Sequence, residues 1–519
     1  MIVDDFDQIY QDLLPFRTLS PKQLRDATHE MVINPANSIG AVSVRNGTPI
    51  AQVGVRSTHS WMVLAIVDMM KNFAEHLPDM DVAFNLDDQP RVATRWETIA
   101  ALRESARSQA PQELILNIWS KDRASRWKPV MPASQARKSA FSNNDGLRIF
   151  DKYVRDLCPP FSGTRSSRIW DRRDVCLSCI RPHSIGQFPT TDWNVASDIC
   201  HQPDLEELHG VFSGPTAFMP TRELMPVFSQ SSIAGFSDIL YPSPWNYADK
   251  VKYEPSDNFP DAEYDDKMNT LFWIGSTSEG MGSKGRWKGL SRQRFSHLVN
   301  NNTDSQVSVL LPTSDVSSNT TYSYQILDGT APTRDLGIQT AVHLNEPIRY
   351  CGECGIQQKE FGVVPPVDFQ ECWRYRHLFD LDGAGFSGRF LPFLQSHSLP
   401  YKSGLLRQWF DSRLMPWIHF VPVDLRLHGL WSTMAYFAGV NGTVSGGPGG
   451  LLNGLRKQRH VVMEARRDAG KKIADEGRTW AEKAIRKEDM EIYFFRLLLE
   501  WGRLTDDHRN VMGFRLERK

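Results

Sequence analysis

The stretch FDLDGAGFSGRF, residues 379–390, places an acidic D-x-D, three glycines and an arginine at the end of an apolar run. Glycines let the backbone approach a ligand closely, and an arginine can pair with two phosphate oxygens. The stretch therefore predicts a strand, then an anion-binding loop, then a helix that begins near Gly388. Two alternatives stay open: a metal site at Asp380 and Asp382, or a structural turn in which Arg389 pairs with a core carboxylate.

The same pattern occurs elsewhere in the chain. Residues 270–287 predict a strand that enters a glycine- and serine-rich loop, and residues 79–92 predict a strand that ends at Asp87 and Asp88. Strands that alternate with loops and helices are typical of an α/β protein with parallel sheets, in which ligands bind beyond the carboxyl ends of the strands. Further strands are predicted at 306–312 and 414–424, and helices at 60–76, 425–440, 456–487 and 490–504.

The composition is that of a globular protein. Of the 519 residues, 40% are hydrophobic and 23% are charged, and the net charge is −1. This charge gives no indication of nucleic-acid binding. The best apolar run, residues 61–70, is too short to cross a membrane and contains Asp68, so we expect no transmembrane segment. The first ten residues are acidic and lack the apolar core of a signal peptide.

Seven cysteines fall into two groups, at 158–200 and 351–372, and include two C-x-x-C pairs, CLSC and CGEC. The two pairs are much farther apart than the ligands of a zinc finger or ribbon. Structural disulfides, free buried thiols and a zinc site around 351–372 all stay open. Four N-x-S/T sequences are compatible with a secreted chain, and they begin at Asn46, Asn301, Asn319 and Asn441.

Between about residues 80 and 505, a series of segments resembles, in the same order, the fungal capsule-associated glycosyltransferases. This family includes the Rumi-type protein O-glucosyltransferases and the cryptococcal xylosyltransferases. The main segment is DLDGAGFSGRF, followed after eight residues by LPYKSGLLRQWFDSRLMPWIHFVPVDL. Shorter similar segments are DVAFNLDDQPRV, FWIGSTSEG with RQRF, GFSDILYPSPW and GRTWAEKAIRKEDMEIYFFRLLLEW.

The resemblance implies a GT-B-like α/β fold, in which two Rossmann-type lobes enclose a cleft and C-terminal helices pack back onto them. It divides the chain into an acceptor-side lobe at 1–255, a UDP-sugar lobe at 256–455 and C-terminal helices at 456–519. It implies an inverting transfer, without a metal or another cofactor. The donor would be a UDP-sugar, with glucose or xylose as the sugar, and the acceptor a hydroxyl group of a glycan or glycoprotein.

The resemblance also implies roles for individual residues. Asp88 would deprotonate the acceptor hydroxyl. Arg389, with Ser387 and the backbone of 383–388, would neutralise the UDP diphosphate as it leaves. The full set of residues implied for UDP binding is Gly275, Ser276, Ser278, Arg292, Gly385, Phe386, Ser387 and Arg389.

Two features depart from the family pattern. Many relatives carry an arginine at the position of Ile274, so one diphosphate contact is either absent or supplied by Arg292 or Arg294. A protein that has lost activity and only binds a sugar nucleotide or a glycan is therefore the alternative function. Relatives also carry an amino-terminal signal or anchor. The family implies the secretory pathway, and a cytoplasmic location stays open because neither feature is visible here.

Overall fold

Apolar runs in the sequence form the strands and helices of a mixed α/β protein in a computed structural model of the chain. The structure describes residues 3–52, 59–108, 118–120, 131–141, 149–166, 189–202, 204–282, 284–300, 306–313, 320–346, 348, 351–445 and 458–512. Within these residues, the strands form two five-stranded sheets and two separate hairpins. The α/β class predicted from the strand–loop–helix units is therefore confirmed.

The first sheet is mixed and has the strand order β2-β1-β3-β4-β5. Strand β1 runs antiparallel to both β2 and β3, whereas β3, β4 and β5 are parallel to one another. The parallel half places the carboxyl ends of β3 and β4 side by side. The strands are β1 (Ile39–Arg45), β2 (Thr48–Ala51), β3 (Met80–Asn85), β4 (Val227–Ser229) and β5 (Ile239–Leu240).

The second sheet is parallel throughout and has the order β12-β11-β10-β6-β9. Its central strand β10 is buried along nearly its whole length, as expected for a parallel strand that is covered on both faces. The hairpins are β7 with β8 and β13 with β14. These strands are β6 (Met268–Gly275), β7 (Gln306–Pro312), β8 (Tyr322–Asp328), β9 (Gln339–Leu344), β10 (Tyr375–Leu381), β11 (Leu399–Ser403), β12 (Val421–Pro422), β13 (Val440–Ser445) and β14 (Gln458–Met463).

Helices cover the sheets and connect their strands. The longer ones are α1 (Val3–Leu13), α2 (Pro21–Ile33), α3 (Trp61–Met70), α4 (Trp96–Ser108), α10 (Ser291–Asn300), α12 (Cys354–Phe361), α13 (Phe390–Gln395), α14 (Leu430–Ala438), α15 (Arg467–Ala484) and α16 (Lys487–Leu504). Single-turn helices are α5 (Gly163–Ser166), α6 (Trp193–Ala196), α7 (Leu205–Leu208), α8 (Gly210–Ser213), α9 (Pro244–Tyr247) and α11 (Ala331–Arg334).

Of the last two helices, α15 packs against the cores of both sheets and α16 against the core of the first. Helix α15 contributes Ile473 to the core of the second sheet and Ala481 to the core of the first. Helix α16 places Trp501 against Phe228 of β4, with ring centroids 5.5 Å apart. Because Trp501 is fully buried, we expect its replacement by alanine to cost about 3–5 kcal/mol of unfolding free energy.

Several predicted elements differ from the observed ones. The strand expected at 414–424 is reduced to β12, because Pro416 and Trp417 form a turn in which Trp417 has a φ of 65°. The helix expected at 456–487 is β14 followed by α15. The helix expected to begin near Gly388 begins at Phe390 and has only six residues.

The cysteines are mainly disulfide-bonded where the structure describes them. Cys158 pairs with Cys200 and Cys351 pairs with Cys354, whereas Cys372 is a buried free thiol. The hypothesis of a zinc site that uses CGEC is therefore wrong, because Cys351 and Cys354 form a disulfide with each other. The CLSC cysteines, Cys176 and Cys179, lie outside the described residues. In the described part of the chain, no helix is long and apolar enough to cross a membrane.

Candidate functional site

Loops that follow the carboxyl ends of parallel strands in both sheets meet at one place. After β3, Gln89 donates a hydrogen bond from Nε2 to the carbonyl oxygen of Ala384, in the loop after β10, over 3.1 Å. A Cβ built on Gly385 would lie 2.8 Å from the Cβ of Asp88, so the absence of a side chain allows this contact. We call the contact between residues 87–89 and 382–389 the loop junction.

The two carboxylates at the end of β3 have different environments. Asp87 forms an ion pair with Arg91, whose side chain is fully buried. Asp88 is half-buried against Gly385, and burial raises the pKa of its carboxyl group. Positive charge on His59 opposes this rise, and the charge of Asp87 adds to it. A carboxylate with a raised pKa is a better proton acceptor, so Asp88 has the environment of a general base and Asp87 that of a structural ion-pair partner.

Arg292, near the start of α10, connects the loop after β6 to the loop after β10. Its Nε donates to the carbonyl oxygen of Asp382 over 2.8 Å. Its Nη1 donates to the carbonyl oxygen of Ser276 over 2.8 Å and to Ser278 Oγ over 3.1 Å. Nη2 has no hydrogen-bond partner among the described residues, and a Cβ on Gly383 would lie 2.8 Å from it. This donor is therefore available at the glycine loop.

Arg389 contacts the same tryptophan ring as Arg292. The guanidinium carbons of Arg389 and Arg292 lie 5.8 Å and 5.9 Å from the ring centroid of Trp273. Nη1 of Arg389 donates to the carbonyl oxygen of Ile274. Its Nε and Nη2 have no hydrogen-bond partner within the described ranges. The main-chain carbonyl group of Ile274 thus helps to hold Arg389.

The two guanidinium groups act on each other electrostatically. Burial lowers the pKa of Arg292 to about 10, and the charge of Arg389 contributes to this shift. Burial likewise lowers the pKa of Arg389, while the charge of Asp380 opposes the change. The negative charges of Glu279, Asp380 and Asp382 oppose the lowering of the Arg292 pKa, so protein carboxylates already compensate part of the positive charge. Unpaired N–H donors on guanidinium groups have the geometry to bind phosphate oxygens in pairs, so this arrangement suits a diphosphate.

Asp380 and Asp382 have different surroundings. Asp382 Oδ2 accepts hydrogen bonds from the backbone N–H groups of Leu405, over 2.5 Å, and Leu406, over 3.1 Å. Asp380 lies near Arg389, and burial raises the pKa of its carboxyl group to about 7. Among the residues that the structure describes, no group of three or more His, Cys, Asp and Glu side chains could hold a metal ion.

The structural-turn alternative requires a core carboxylate that pairs with Arg389, and the buried Asp380 is the candidate. The charge of Asp380 acts on Arg389, but no ion pair joins the two side chains. Because only part of the guanidinium group is used in protein hydrogen bonds, a structural role and an anion-binding role are compatible at this position.

The short length of α13 changes one part of the expected anion site. A helix of six residues has a weak dipole, so its amino terminus contributes little to binding a phosphate. Arg294 is also not available, because it donates to the carbonyl oxygens of Gly289, Leu208 and Leu425. Of Arg292 and Arg294, Arg292 is the one that reaches the glycine loop.

The remaining predicted residues mainly shape the site. Gly275 leaves room for the Trp273 ring, since a Cβ there would lie 2.7 Å from a ring carbon. Phe386 packs against the core cluster that contains Leu405. Ser387 is buried, and its hydroxyl oxygen accepts a hydrogen bond from the backbone N–H of Arg389 over 3.4 Å.

Sequence reasoning missed several residues of this site, among them Gln89, His59 and Trp273. Gln89 could have been found, because it directly follows Asp88 in the predicted strand-end loop. His59 carries no sequence signal that relates it to Asp88. Trp273 was noted only as part of a motif, because a ring shared by two distant arginines is visible only in the folded chain.

Comparisons with protein-family models and with curated proteins gave no matching family and no matching sequence. The resemblance to the capsule-associated glycosyltransferases therefore stays a prediction.

Proposed function

We propose that the chain is an inverting glycosyltransferase that transfers a sugar from a UDP-sugar to a hydroxyl group of a glycan or glycoprotein. The observation that carries the proposal is the placement of Asp88 against the glycine loop to which Arg292 and Arg389 are attached. An inverting transfer needs a base on one side of the sugar and positive charge on the leaving group at the other. A GT-B arrangement of two lobes, formed around the two sheets, is part of this proposal.

The reaction would use these residues as follows. Asp88 accepts the proton of the acceptor hydroxyl, and the resulting oxygen attacks the anomeric carbon of the donor sugar. The bond from that carbon to the β-phosphate oxygen breaks, and both of its electrons leave with UDP. Arg292 and Arg389 neutralise the additional negative charge on the diphosphate. This charge grows during the reaction, so contacts to it lower the barrier more than they strengthen ground-state binding.

The site as proposed needs no metal ion, since two arginines supply the positive charge that a divalent cation supplies in other transferases. The chelator test is therefore informative. Activity that is unchanged by a chelator supports this arrangement, whereas loss of activity that is restored by Mg²⁺ or Mn²⁺ contradicts it.

An inactive protein that binds a sugar nucleotide is the second candidate, and the observation that favours it is Ile274. The direct experiment is UDP release by the purified protein from UDP-glucose, UDP-xylose, UDP-galactose and UDP-mannose. Catalysed release from one donor supports the transferase. UDP binding without release from any donor favours the second candidate, and a protein that neither binds UDP nor releases it contradicts both.

A further inference from the structure

The two disulfides in the described part of the chain differ in loop length and in exposure. Cys351 and Cys354 are three residues apart in sequence, and Cys354 is exposed. Cys158 and Cys200 are 42 residues apart, and both are buried. A disulfide that closes a long loop stabilises a fold more than one that closes a short loop, and an exposed disulfide is accessible to an attacking thiolate. We therefore expect the Cys351–Cys354 bond to be reduced first.

Glu353, between the two cysteines of the short disulfide, holds the segment 284–290, which leads into α10. Its carboxylate accepts hydrogen bonds from the backbone N–H groups of Lys284 over 3.1 Å and Gly285 over 2.9 Å. It also accepts one from Nε1 of the buried Trp287 over 2.8 Å. Lys284 has a φ of 55°, in the left-handed region that a lysine rarely adopts, so this segment depends on its partners for its conformation.

A second set of contacts joins the disulfide ring to α10. Gln357 Nε2 donates to the carbonyl oxygen of Cys351 over 2.8 Å, and Gln293 Nε2 donates to Gln357 Oε1 over 3.0 Å. Both glutamines are fully buried. Gln293 directly follows Arg292, which donates to the carbonyl oxygen of Asp382 in the glycine loop. The short disulfide is thus connected at two places to the start of the helix that carries Arg292.

We propose that Cys351–Cys354 is a thiol–disulfide exchange site for a dithiol reductant, and that its oxidation state controls how firmly the segment 284–290 and α10 hold Arg292 at the glycine loop. A thiolate of the reductant attacks Cys354 Sγ, and the electron pair of the broken bond goes to Cys351 Sγ, which takes up a proton. The second thiol of the reductant then displaces Cys354 as a thiol. Two electrons and two protons pass to the protein, and the reductant becomes a disulfide.

Reduction should weaken UDP binding without abolishing it. Once the ring is open, Glu353 is no longer fixed between two bonded cysteines, so the segment 284–290 gains freedom. Arg292 keeps its own hydrogen bonds to the carbonyl oxygens of Ser276 and Asp382, so the loss of affinity is partial. The effect on UDP rests on the proposed function, whereas the exchange site itself does not.

Alkylation of the full chain during a dithiothreitol titration, followed by mass spectrometry of its peptides, tests the exchange site. We expect Cys351 and Cys354 to be labelled at a roughly tenfold lower dithiothreitol concentration than Cys158 and Cys200. The longer disulfide is the matched control, because it is present in the same protein at the same pH. Labelling of both disulfides at one concentration, or of Cys158 and Cys200 first, would overturn the exchange site.

Hydrogen exchange of the same samples tests the connection to α10. After selective reduction, the amides of residues 284–290 should exchange about tenfold faster, while those of α16 should not change. Glu353→Ala should give the faster exchange even in the oxidised protein, and reduction should then add little. A reduced protein in which residues 284–290 exchange as slowly as in the oxidised protein would overturn the connection.

Calorimetry of UDP binding, with melting curves to establish folding, completes the test. We expect the Kd of UDP to rise about three- to tenfold on reduction, the usual effect of one weakened hydrogen bond. The double variant Cys351→Ser, Cys354→Ser should have the higher Kd and should not respond to dithiothreitol. An unchanged Kd in a reduced protein with faster exchange at 284–290 would overturn control over UDP binding. A parent protein that binds no UDP would overturn the proposed function, while labelling and hydrogen exchange would still decide on the exchange site.

Discussion

Asp88 and Gly385, on loops that follow strands of different sheets, are packed so closely that a methyl group on Gly385 would lie 2.8 Å from the Cβ of Asp88 and 3.0 Å from its carbonyl oxygen. Contacts this short force a displacement of one loop or the other. The proposed base and the proposed diphosphate loop are therefore in direct contact. A single added methyl group on Gly385 is enough to change their relative position.

Gly385→Ala should therefore lower turnover, because it moves Asp88 away from the acceptor hydroxyl. We expect a loss of roughly 10²-fold, the size of effect that a displacement of about 1 Å has on a positioned catalytic group. Gly388→Ala, in the same loop, should cost much less, since its Cβ would meet only a Val251 methyl group at 3.7 Å. Steady-state rates of UDP release check both, and equal losses in the two variants would contradict the importance of the Asp88 contact.

Asp88→Asn should impair catalysis without destabilising the fold, whereas Asp87→Asn should destabilise the fold. Asp88→Asn should melt like the parent protein but lower turnover by roughly 10²–10⁴-fold, the usual contribution of a positioned base. Asp87→Asn removes the ion-pair partner of the buried Arg91, so we expect a loss of about 3–5 kcal/mol in unfolding free energy. Thermal melts and single-turnover rates separate the two. A folded Asp88→Asn variant with normal turnover, beside an inactive but stable Asp87→Asn variant, would assign the base to Asp87.

The class of the fold and the loops of the site could be predicted, because they depend on local patterns. Glycines after an apolar run indicate a strand-end loop, and the loops at 79–92, 270–287 and 379–390 lie where such a pattern places them. The incorrect prediction of a strand over 414–424 shows the limit of this reasoning. A turn at Trp417 interrupts an apolar run that has the composition of a strand.

Contacts between distant segments could not be predicted from one sequence. The contact that distinguishes Asp88 from Asp87 is made with Gly385, almost 300 residues away, whereas Asp87 pairs with the nearby Arg91. Similarly, the burial of Asp380 beside Arg389 is visible only in the folded chain. The surroundings of Asp88 therefore depend on a partner that is far away in sequence.

The raised pKa of Asp380 predicts that donor affinity depends on pH. Burial raises this pKa from an ordinary value of 3.8 to about 7, so the carboxyl group is largely neutral at pH 6 and ionised at pH 8. The ionised form opposes a diphosphate at Arg389, so we expect the affinity for UDP-glucose to fall about three- to tenfold between these pH values. UDP-glucose is the suitable probe because its diphosphate is a diester and does not titrate in this range.

Asp380→Asn should remove this pH dependence. A group whose folded pKa is raised destabilises the fold as pH rises from its unfolded pKa to its folded pKa, here from about 4 to about 7. The asparagine variant should therefore also melt at a higher temperature than the parent protein at pH 8. A pH dependence of UDP-glucose binding that persists in this variant would show that another group causes it.

The measurement that tests the central claim most directly is the affinity of the Arg389→Ala variant for UDP. Arg389 has guanidinium donors without a protein partner and shares the Trp273 ring with Arg292, so its loss should weaken UDP binding at least tenfold, while Arg389→Lys should keep part of the affinity. Arg334→Ala removes the same charge at an exposed position and serves as the control. Calorimetry, with melting curves to establish folding, gives the result. Weakened UDP binding by a folded Arg389→Ala variant, with normal binding by Arg334→Ala, is what the account predicts. A folded Arg389→Ala variant that binds UDP as tightly as the parent protein would contradict it.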